Sequence, residues 1–380
     1  MRSGRGLAQS QQYIRLAQAT GITEDWRMEN SSGSPTGIVE LRSGVRDTLG
    51  RPLRDLRISV MDRCNFRCPY CMPENIYDRN FRFLSSRERL SFSEIVRLTR
   101  LFARMGACKL RITGGEPLLR AGLADLIGDL SRLEGVEDIA LTTNGVLLAQ
   151  QAASLTAAGL DRVTVSLDAV DEELFRRMSG GRGRLEAVLD GISEARAAGL
   201  NPIKINAVIQ RGVNDGHVAE LVDYFRGTGM ILRFIEYMDV GTINNWSETQ
   251  TVPAAEIVET IHPRWPLRPL DANYHGEVAR RYEFVDGQGE LGFITSVSQP
   301  FCGSCNRARL SSDGRLFTCL FASEGLDLRG PMREGAADDE LLDLMRGRWS
   351  RRADRYSELR SSGRSGAAQD GKVEMYYIGG

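Results

Sequence analysis

The sequence lacks several features that would point to a large functional class. It has no charge excess, since 49 basic residues nearly balance 50 acidic ones, which argues against a general affinity for nucleic acid or a membrane surface. It has no run of about 20 apolar residues, no apolar signal core and no P-loop of the G-x4-G-K-[ST] type. We expect a soluble, cytoplasmic protein without nucleic-acid or membrane partners, whose anion sites are local.

The chain is long and apolar enough to fold, with 380 residues of which 42% are hydrophobic. Short β-branched runs alternate with amphipathic helical segments such as 92–105, 147–158 and 185–198. This rhythm predicts an α/β protein built on a partial, open (β/α)6 TIM-like barrel, with its chemistry at the carboxyl ends of the strands. The six predicted strands are 56–61, 110–113, 139–142, 163–167, 203–209 and 232–235.

Composition divides the chain into four regions. We predict a flexible N-terminal extension over 1–45, the barrel over 46–240, a smaller C-terminal domain capping it over 241–360, and a flexible tail over 361–380. No acidic residue precedes Glu24, so an organelle transit peptide is the alternative for the extension if the source is eukaryotic.

Six of the seven cysteines fall into two tight groups, which indicates metal ligands rather than disulfides. The first cysteine group, Cys64, Cys68 and Cys71, has C-x3-C-x2-C spacing and directly follows the first predicted strand. Three thiolates can hold a [4Fe-4S] cluster and leave one iron open for a ligand, whereas electron carriers usually supply four. The alternative is a zinc site completed by a distant residue.

The second cysteine group, Cys302, Cys305 and Cys319, has C-x2-C-x13-C spacing and again offers three ligands. His275 is the only plausible residue to complete a zinc site here. Two [4Fe-4S] clusters, each with an open iron, would hold two molecules facing each other, which keeps a reactive species near its target.

The segment from Thr113 to Pro117 reads TGGEP and ends the second predicted strand. Its two glycines let the backbone approach a ligand closely, and the Glu116 carboxylate can accept hydrogen bonds from an ammonium group. Together with the cysteine loop, this segment resembles the radical S-adenosylmethionine (SAM) superfamily. Such membership implies that SAM binds the open iron of the first cluster and yields a 5′-deoxyadenosyl radical.

A closer resemblance runs from about Leu49 to Gly380 and is to the GTP 3′,8-cyclase family. It is carried by RDLR at 54–57, MP at 72–73, RITGGEP at 111–117, TTNG at 142–145, SLD at 166–168, RFIE at 233–236, the second cysteine group and the final Gly379-Gly380. An alternative is another multi-cluster radical SAM enzyme such as a peptide maturase, but these typically need more C-terminal cysteines.

The resemblance implies a reaction and its partners. GTP would bind the second cluster through guanine, lose hydrogen from ribose C3′ to the radical, and close a C3′–C8 bond to give (8S)-3′,8-cyclo-7,8-dihydroguanosine 5′-triphosphate. This is the first step of molybdenum cofactor biosynthesis. An electron donor such as flavodoxin or ferredoxin would precede it and cyclic pyranopterin monophosphate synthase would follow. The sequence does not decide between a monomer and a homodimer.

The resemblance also implies roles for single residues. Gly379 and Gly380 would enter the active site as the catalytic chain end, and Thr142 would contact the nucleotide. The SAM ligands would be Tyr70, Gly115, Glu116, Ser166 and Met238.

A triphosphate without a P-loop needs basic side chains, and seven lie on the predicted strands or next to the second cysteine group. Because side chains alternate along a strand, Lys109 and Arg111 should share one face, and so should Arg307 and Arg309 if that segment is extended. The seven are Arg57, Lys109, Arg111, Lys204, Arg233, Arg307 and Arg309.

Overall fold

The computed structural model describes residues 44–360 and 371–379, and a parallel β-sheet forms its centre. Each of the six strands expected from the sequence is present, and each pairs in parallel with the next. They are β1 (Asp55–Ser59), β2 (Lys109–Thr113), β3 (Asp138–Thr143), β4 (Arg162–Ser166), β5 (Ile203–Ile209) and β6 (Ile231–Glu236).

Helices connect these strands, as in parallel βα units. The first begins after Ser91, whose hydroxyl accepts a hydrogen bond from the Glu94 amide while the Glu94 carboxylate accepts one from the Ser91 amide. It buries Ile95, Leu98 and Phe102 along one face. These helices are α1 (Phe92–Arg104), α2 (Leu123–Ser131), α3 (Leu148–Ala157), α4 (Glu172–Met178), α5 (Leu185–Ala197) and α6 (Val218–Phe225).

The C-terminal part of the chain extends the same sheet at both edges. It contains α7 (Ala254–Ile261), β7 (Leu267–Leu270), β8 (Arg280–Phe284), β9 (Glu290–Ile294), β10 (Arg307–Leu310), β11 (Arg315–Phe317) and β12 (Leu326–Asp327). Strand β9 pairs in parallel with β6, and β10 pairs in parallel with β1. The remaining pairs are antiparallel, so the order is β12-β11-β10-β1-β2-β3-β4-β5-β6-β9-β8-β7.

The sheet curves around one cavity, because residues from β1 to β6 and from β9 and β10 all line it. The cavity lies at one face of the sheet, and the opposite face packs on the helices. Short helices complete the described chain: α8 (Arg329–Arg333), α9 (Asp338–Ser350), α10 (Tyr356–Arg360) and α11 (Met375–Ile378).

Some sequence expectations fall outside the described residues. These are the extension over 1–43 with its alternative as a transit peptide, the tail segment 361–370, and Gly380. The domain boundary near residue 240 stays a prediction, since strands from both sides of it share one sheet. Within the described part of the chain, every helix is too short or too polar to span a lipid bilayer.

Candidate active site

The first cysteine group lies on a tight loop directly after β1. The loop is folded around Arg67, whose buried guanidinium donates to the Cys64 carbonyl at 2.8 Å and to the Tyr77 carbonyl at 2.7 Å. The Cys71 amide donates to the Cys68 carbonyl at 3.0 Å. The protein backbone and one arginine therefore fix the three cysteines on one turn.

These three thiols suit an iron–sulfur cluster. Burial raises the pKa of Cys68, and the neighbouring Cys64 and Cys71 raise it further. Among residues 44–360 and 371–379, no three Cys, His, Asp or Glu side chains are placed to share a single metal ion. In a cubane each cysteine binds a different iron.

The Gly-Gly pair explains how the loop after β2 reaches the cysteine loop. The Gly115 amide donates to the Met61 carbonyl at 2.7 Å. A Cβ on Gly114 would lie 2.3 Å from the Met61 carbonyl oxygen, and one on Gly115 would lie 2.4 Å from that of Arg63. Only glycine permits this approach, and it brings the backbone of Gly115 beside the segment that leads into the first cysteine group.

Glu116 is buried and already holds three protein donors. Its carboxylate accepts from the Thr143 hydroxyl at 2.7 Å and from the amides of Asn144 at 2.8 Å and Leu118 at 3.0 Å. Burial raises its pKa to about 7. Glu116 therefore joins the ends of β2 and β3, and its contact with SAM stays a prediction.

Tyr70, in the first cysteine loop, and Met238, after β6, both line the cavity, whereas Cys64, Cys68 and Cys71 are not among its lining residues. The Tyr70 hydroxyl donates at 2.7 Å to Asp168, whose other oxygen accepts from the Val208 amide at 2.8 Å. Burial raises the pKa of Asp168 to about 6. Ser166 ends β4, outside the residues that line the cavity.

The second cysteine group lies directly on the cavity wall. Cys305 Sγ accepts hydrogen bonds from Arg352 at 3.2 Å and from Arg307 at 3.5 Å. Burial alone would raise the pKa of Cys305, but the two guanidinium charges outweigh it and lower the pKa to about 6. A thiolate is the form that binds iron. Cys302 and Cys319 line the same cavity, while His275 is exposed and lies outside its lining.

Cationic side chains from several strands line the same cavity. Arg57 on β1 is in register with Arg111 on β2 and with Arg309 on β10, so three guanidiniums lie side by side. Burial lowers the pKa of each, and the neighbouring cations lower it further. Lys204 and Arg233 continue the array on β5 and β6, and the pKa of Lys204 falls to about 7 through burial and the charge of Arg233.

Asp55 and Glu277 also line the cavity and offset part of this charge, yet burial and the neighbouring cations still lower the pKa values of the cations named above. Like charges on neighbouring strands repel, so an anion bound in the cavity would relieve the repulsion. The structure therefore brings together most of the residues expected to hold GTP: Arg57, Arg111, Thr142, Lys204, Arg233, Arg307 and Arg309.

Lys109 is the exception among the seven basic candidates. Its ammonium lies 3.4 Å from the centroid of the Tyr274 ring. Lys109 is not among the residues that line the cavity. Lys109 begins β2, two residues before Arg111, so the two side chains share a face of the strand as expected. They do not both line the cavity. Its contact with substrate stays a prediction.

The sequence reading missed Arg162 and Tyr274, which also line the cavity. Arg162 begins β4 and pairs with Asp138 at 2.6 Å, so its charge is partly neutralised. The signal that could have found it is the alternation along β4, since Arg162 and Thr164 share a face and Thr164 is in register with both Thr142 and Lys204.

The C-terminal segment ends at this cavity. Ile378 and Gly379 are buried, and the Gly379 carbonyl accepts a hydrogen bond from Arg309. A Cβ on Gly379 would lie 2.1 Å from Thr113 Cγ2, which accounts for a glycine here. Gly380 lies outside the described residues.

Comparisons with known proteins agree with this geometry. The Radical SAM superfamily model matches residues 58–225, and the model Molybdenum Cofactor Synthesis C matches residues 230–358. Two solved structures of Streptococcus suis SuiB, bound to S-adenosylmethionine and to precursor peptide SuiA, give TM-scores of 0.54 and 0.53 at 16% and 15% identity. The first alignment covers 78% of this chain and 68% of that structure, and the second covers 98% and 87%. Both support the fold alone. The fold, the cysteine loop and the family models define a radical SAM enzyme.

Curated relatives define the family more narrowly. Proteins named GTP 3′,8-cyclase are 55% identical in Xanthomonas axonopodis and 52% identical in Acidothermus cellulolyticus. In each case 88% of this chain aligns with 99% of the relative. The chain belongs to the GTP 3′,8-cyclase family, and this similarity leaves no support for the peptide-maturase alternative.

Proposed function

We propose that the protein cyclises GTP to (8S)-3′,8-cyclo-7,8-dihydroguanosine 5′-triphosphate, the first step of molybdenum cofactor biosynthesis. One observation carries the proposal most directly: the second cysteine group and an array of cationic side chains on neighbouring strands line a single cavity. A nucleotide triphosphate has a base that can bind a cluster and a chain of phosphates that can bind the cations.

The residues divide the work between the two ends of the cavity. Cys64, Cys68 and Cys71 would hold the first [4Fe-4S] cluster, which with SAM supplies the 5′-deoxyadenosyl radical that takes hydrogen from ribose C3′. Tyr70 and Met238 would contact SAM from the cavity wall, with Gly115, Glu116 and Ser166 as further predicted contacts.

The substrate end rests on the second cysteine group. Cys302, Cys305 and Cys319 would hold a second [4Fe-4S] cluster whose open iron binds guanine. Arg57, Arg111, Lys204, Arg233, Arg307 and Arg309 would bind the triphosphate, with Thr142 beside them. Held at both ends, the ribose cannot move away from the radical, which is the contribution of positioning to the rate.

Partners and location follow from the same proposal. The first cluster needs an electron from a donor such as flavodoxin or ferredoxin to cleave SAM, and a second electron and a proton would quench the base radical left when C3′ bonds to C8. Cyclic pyranopterin monophosphate synthase would consume the product. Both would meet this protein in the cytoplasm. We also propose the division into a radical SAM region over 46–240 and a cluster-bearing region over 241–360.

The experiment is anaerobic incubation of reconstituted protein with GTP, SAM and dithionite, followed by mass analysis. The expected products are 5′-deoxyadenosine and a nucleotide with the same mass as GTP. When 3′-deuterated GTP is supplied, the nucleotide product should have lost the deuterium. The matched control is Arg281→Met, which breaks an ion pair with Glu290 outside the cavity lining and should leave product formation unchanged. SAM cleavage without a cyclised nucleotide would contradict the proposal.

A further inference from the structure

The loop after β6 carries a part-buried carboxylate, Asp239, that no part of the proposed reaction uses. It accepts hydrogen bonds from the Lys372 ammonium at 2.8 Å and from the Tyr356 hydroxyl at 2.5 Å, and it forms an ion pair with Arg360 at 2.7 Å. Lys372 also donates to the Asp239 carbonyl at 3.1 Å. One acidic group therefore joins the β6 loop, α10 and the C-terminal segment.

Aromatic rings enclose this group of charges. The rings of Phe321 and Tyr356 stack with centroids 4.5 Å apart. The Lys372 ammonium lies 4.6 Å from the Tyr356 centroid, and the Arg360 guanidinium lies 5.2 Å from that of Phe321. Rings that shield an ion pair from water strengthen it, and they add cation–π attraction to both cations.

A second contact lies two residues further along the C-terminal segment. Glu374 accepts hydrogen bonds from the Thr242 amide at 2.8 Å and from its hydroxyl at 2.9 Å. Gly241 has a φ of +73°, and a Cβ there would lie 2.0 Å from the Glu374 carboxylate. The β6 loop is therefore shaped to receive this segment.

The anchored segment leads straight into the active-site cavity. Met375 lines the cavity, Tyr376 packs edge-on against Tyr77 at 5.1 Å, and Gly379 bonds to Arg309. The contacts of residues 371–379 fix where this segment lies, among them the Val373 amide, which donates to the Ala322 carbonyl at 3.0 Å. Those at Asp239 and Thr242 are its attachment to the loop that also carries Met238.

We propose that Asp239 and Lys372 are positioning residues that anchor the C-terminal segment, so that Gly379 is held against Arg309 in the cavity. The consequence for turnover rests on the proposed function, while the anchor itself does not. Asp239 adjoins a predicted SAM contact, and Phe321 lies two residues after Cys319, so the anchor ties the chain end to both halves of the site.

The test is hydrogen–deuterium exchange on the full-length, anaerobically purified protein, with peptides that cover residues 371–379. Lys372→Met should speed exchange of the amides from 373 to 379 by about tenfold, because a charged hydrogen bond of this kind is worth that factor or more. Lys372→Arg keeps the charge and should retain part of the protection. Arg281→Met, which removes another part-buried ion pair elsewhere, should leave these amides unchanged.

Asp239→Asn adds a coupling test. Asp239 also holds Tyr356 and Arg360, so Asp239→Asn should speed exchange at least as much as Lys372→Met, and the double variant should not exceed Asp239→Asn alone. Unchanged protection in Lys372→Met, or additive effects in the double variant, would overturn the anchor. Lys372→Met stays informative if Asp239→Asn does not fold.

Turnover is measured on the same proteins. Lys372→Met should lower the cyclisation rate, and Lys372→Arg should lower it less, because a loosened segment holds Gly379 against Arg309 less well. If the wild type forms no cyclised nucleotide, the proposed function fails, yet the exchange result still decides whether the anchor exists. If exchange rises but cyclisation is unaffected, the positioning role is wrong.

Discussion

Several cationic residues in the cavity lie close to one another. Arg57, Arg111 and Arg309 stand in register on adjacent strands, and their pKa values are lowered by burial and by one another. Electrostatic repulsion within such an array is unfavourable, and a bound polyanion would offset it.

Removing one cation should therefore weaken phosphate binding selectively. Lys204→Ala or Arg307→Ala should raise the Kd for GTP about tenfold or more, and change that for guanosine far less, because each charge-assisted contact is worth roughly 1.5 to 3 kcal/mol. Anaerobic titration calorimetry would measure both ligands. Arg211→Ala, at an exposed ion pair with Glu256, is the control. Equal losses for nucleotide and nucleoside would show that the residue does not hold phosphate.

The same lysine predicts a pH dependence. Burial, followed by the charge of Arg233, lowers the pKa of Lys204 to about 7, so the free protein loses this charge as the pH rises above 7. A bound triphosphate favours the charged form and raises the pKa, so GTP binding should take up a proton between about pH 7.5 and 8.5 and weaken as the pH rises, by at most about tenfold per unit.

Calorimetry in two buffers of different ionisation enthalpy would measure this proton uptake. Lys204→Arg keeps a permanent charge and should bind GTP with less uptake. If Lys204→Arg takes up the same number of protons as the wild type, another group is responsible.

At the scale of elements, the C-terminal segment and the strand β2 meet at Gly379. Its φ is +75°, and Thr113 Cγ2 occupies the space that a side chain would need. Deleting Gly379 and Gly380 should abolish cyclisation while SAM cleavage without GTP continues, and a synthetic peptide ending in Ile-Gly-Gly should restore part of the activity. Product mass analysis and 5′-deoxyadenosine assay give the two rates.

A substitution separates the shape of the chain end from its length. Gly379→Ala should lower cyclisation nearly as much as the deletion. Gly371→Ala is the matched control, since Gly371 has a φ of +104° but open space around its Cβ position. Normal cyclisation by Gly379→Ala, or by the deletion, would rule out a role for the chain end.

At the scale of the whole molecule, the two cysteine groups come from distant parts of the chain: the second group lines the cavity, and Tyr70 of the first cysteine loop lines it too. We expect about eight irons and eight sulfides per chain in anaerobically prepared protein. Cys302→Ala should halve that content and lose cyclisation but keep SAM cleavage, because the second cluster positions substrate. Loss of SAM cleavage with the first cluster spectroscopically intact would contradict this division.

The sequence determined the local features. Strict alternation of β-branched runs and helical segments located β1 to β6 and helices such as α1 and α5 closely, because side-chain periodicity follows directly from backbone geometry. The spacing of Cys64, Cys68 and Cys71 on one loop was likewise enough to indicate a cluster, since short loops bring their own residues together.

Tertiary structure decided what depends on distant pairing. The strands β9 and β10 are short, and only their parallel pairing with β6 and β1 shows that residues after 240 extend the sheet. Arg57 lies beside Arg309 for the same reason, and the Lys109 ammonium packs on the ring of Tyr274, far along the chain. The anchor at Asp239 also joins residues more than a hundred positions apart. Contacts of this kind leave no periodic signal in a single sequence, since folding alone selects which distant residues become neighbours.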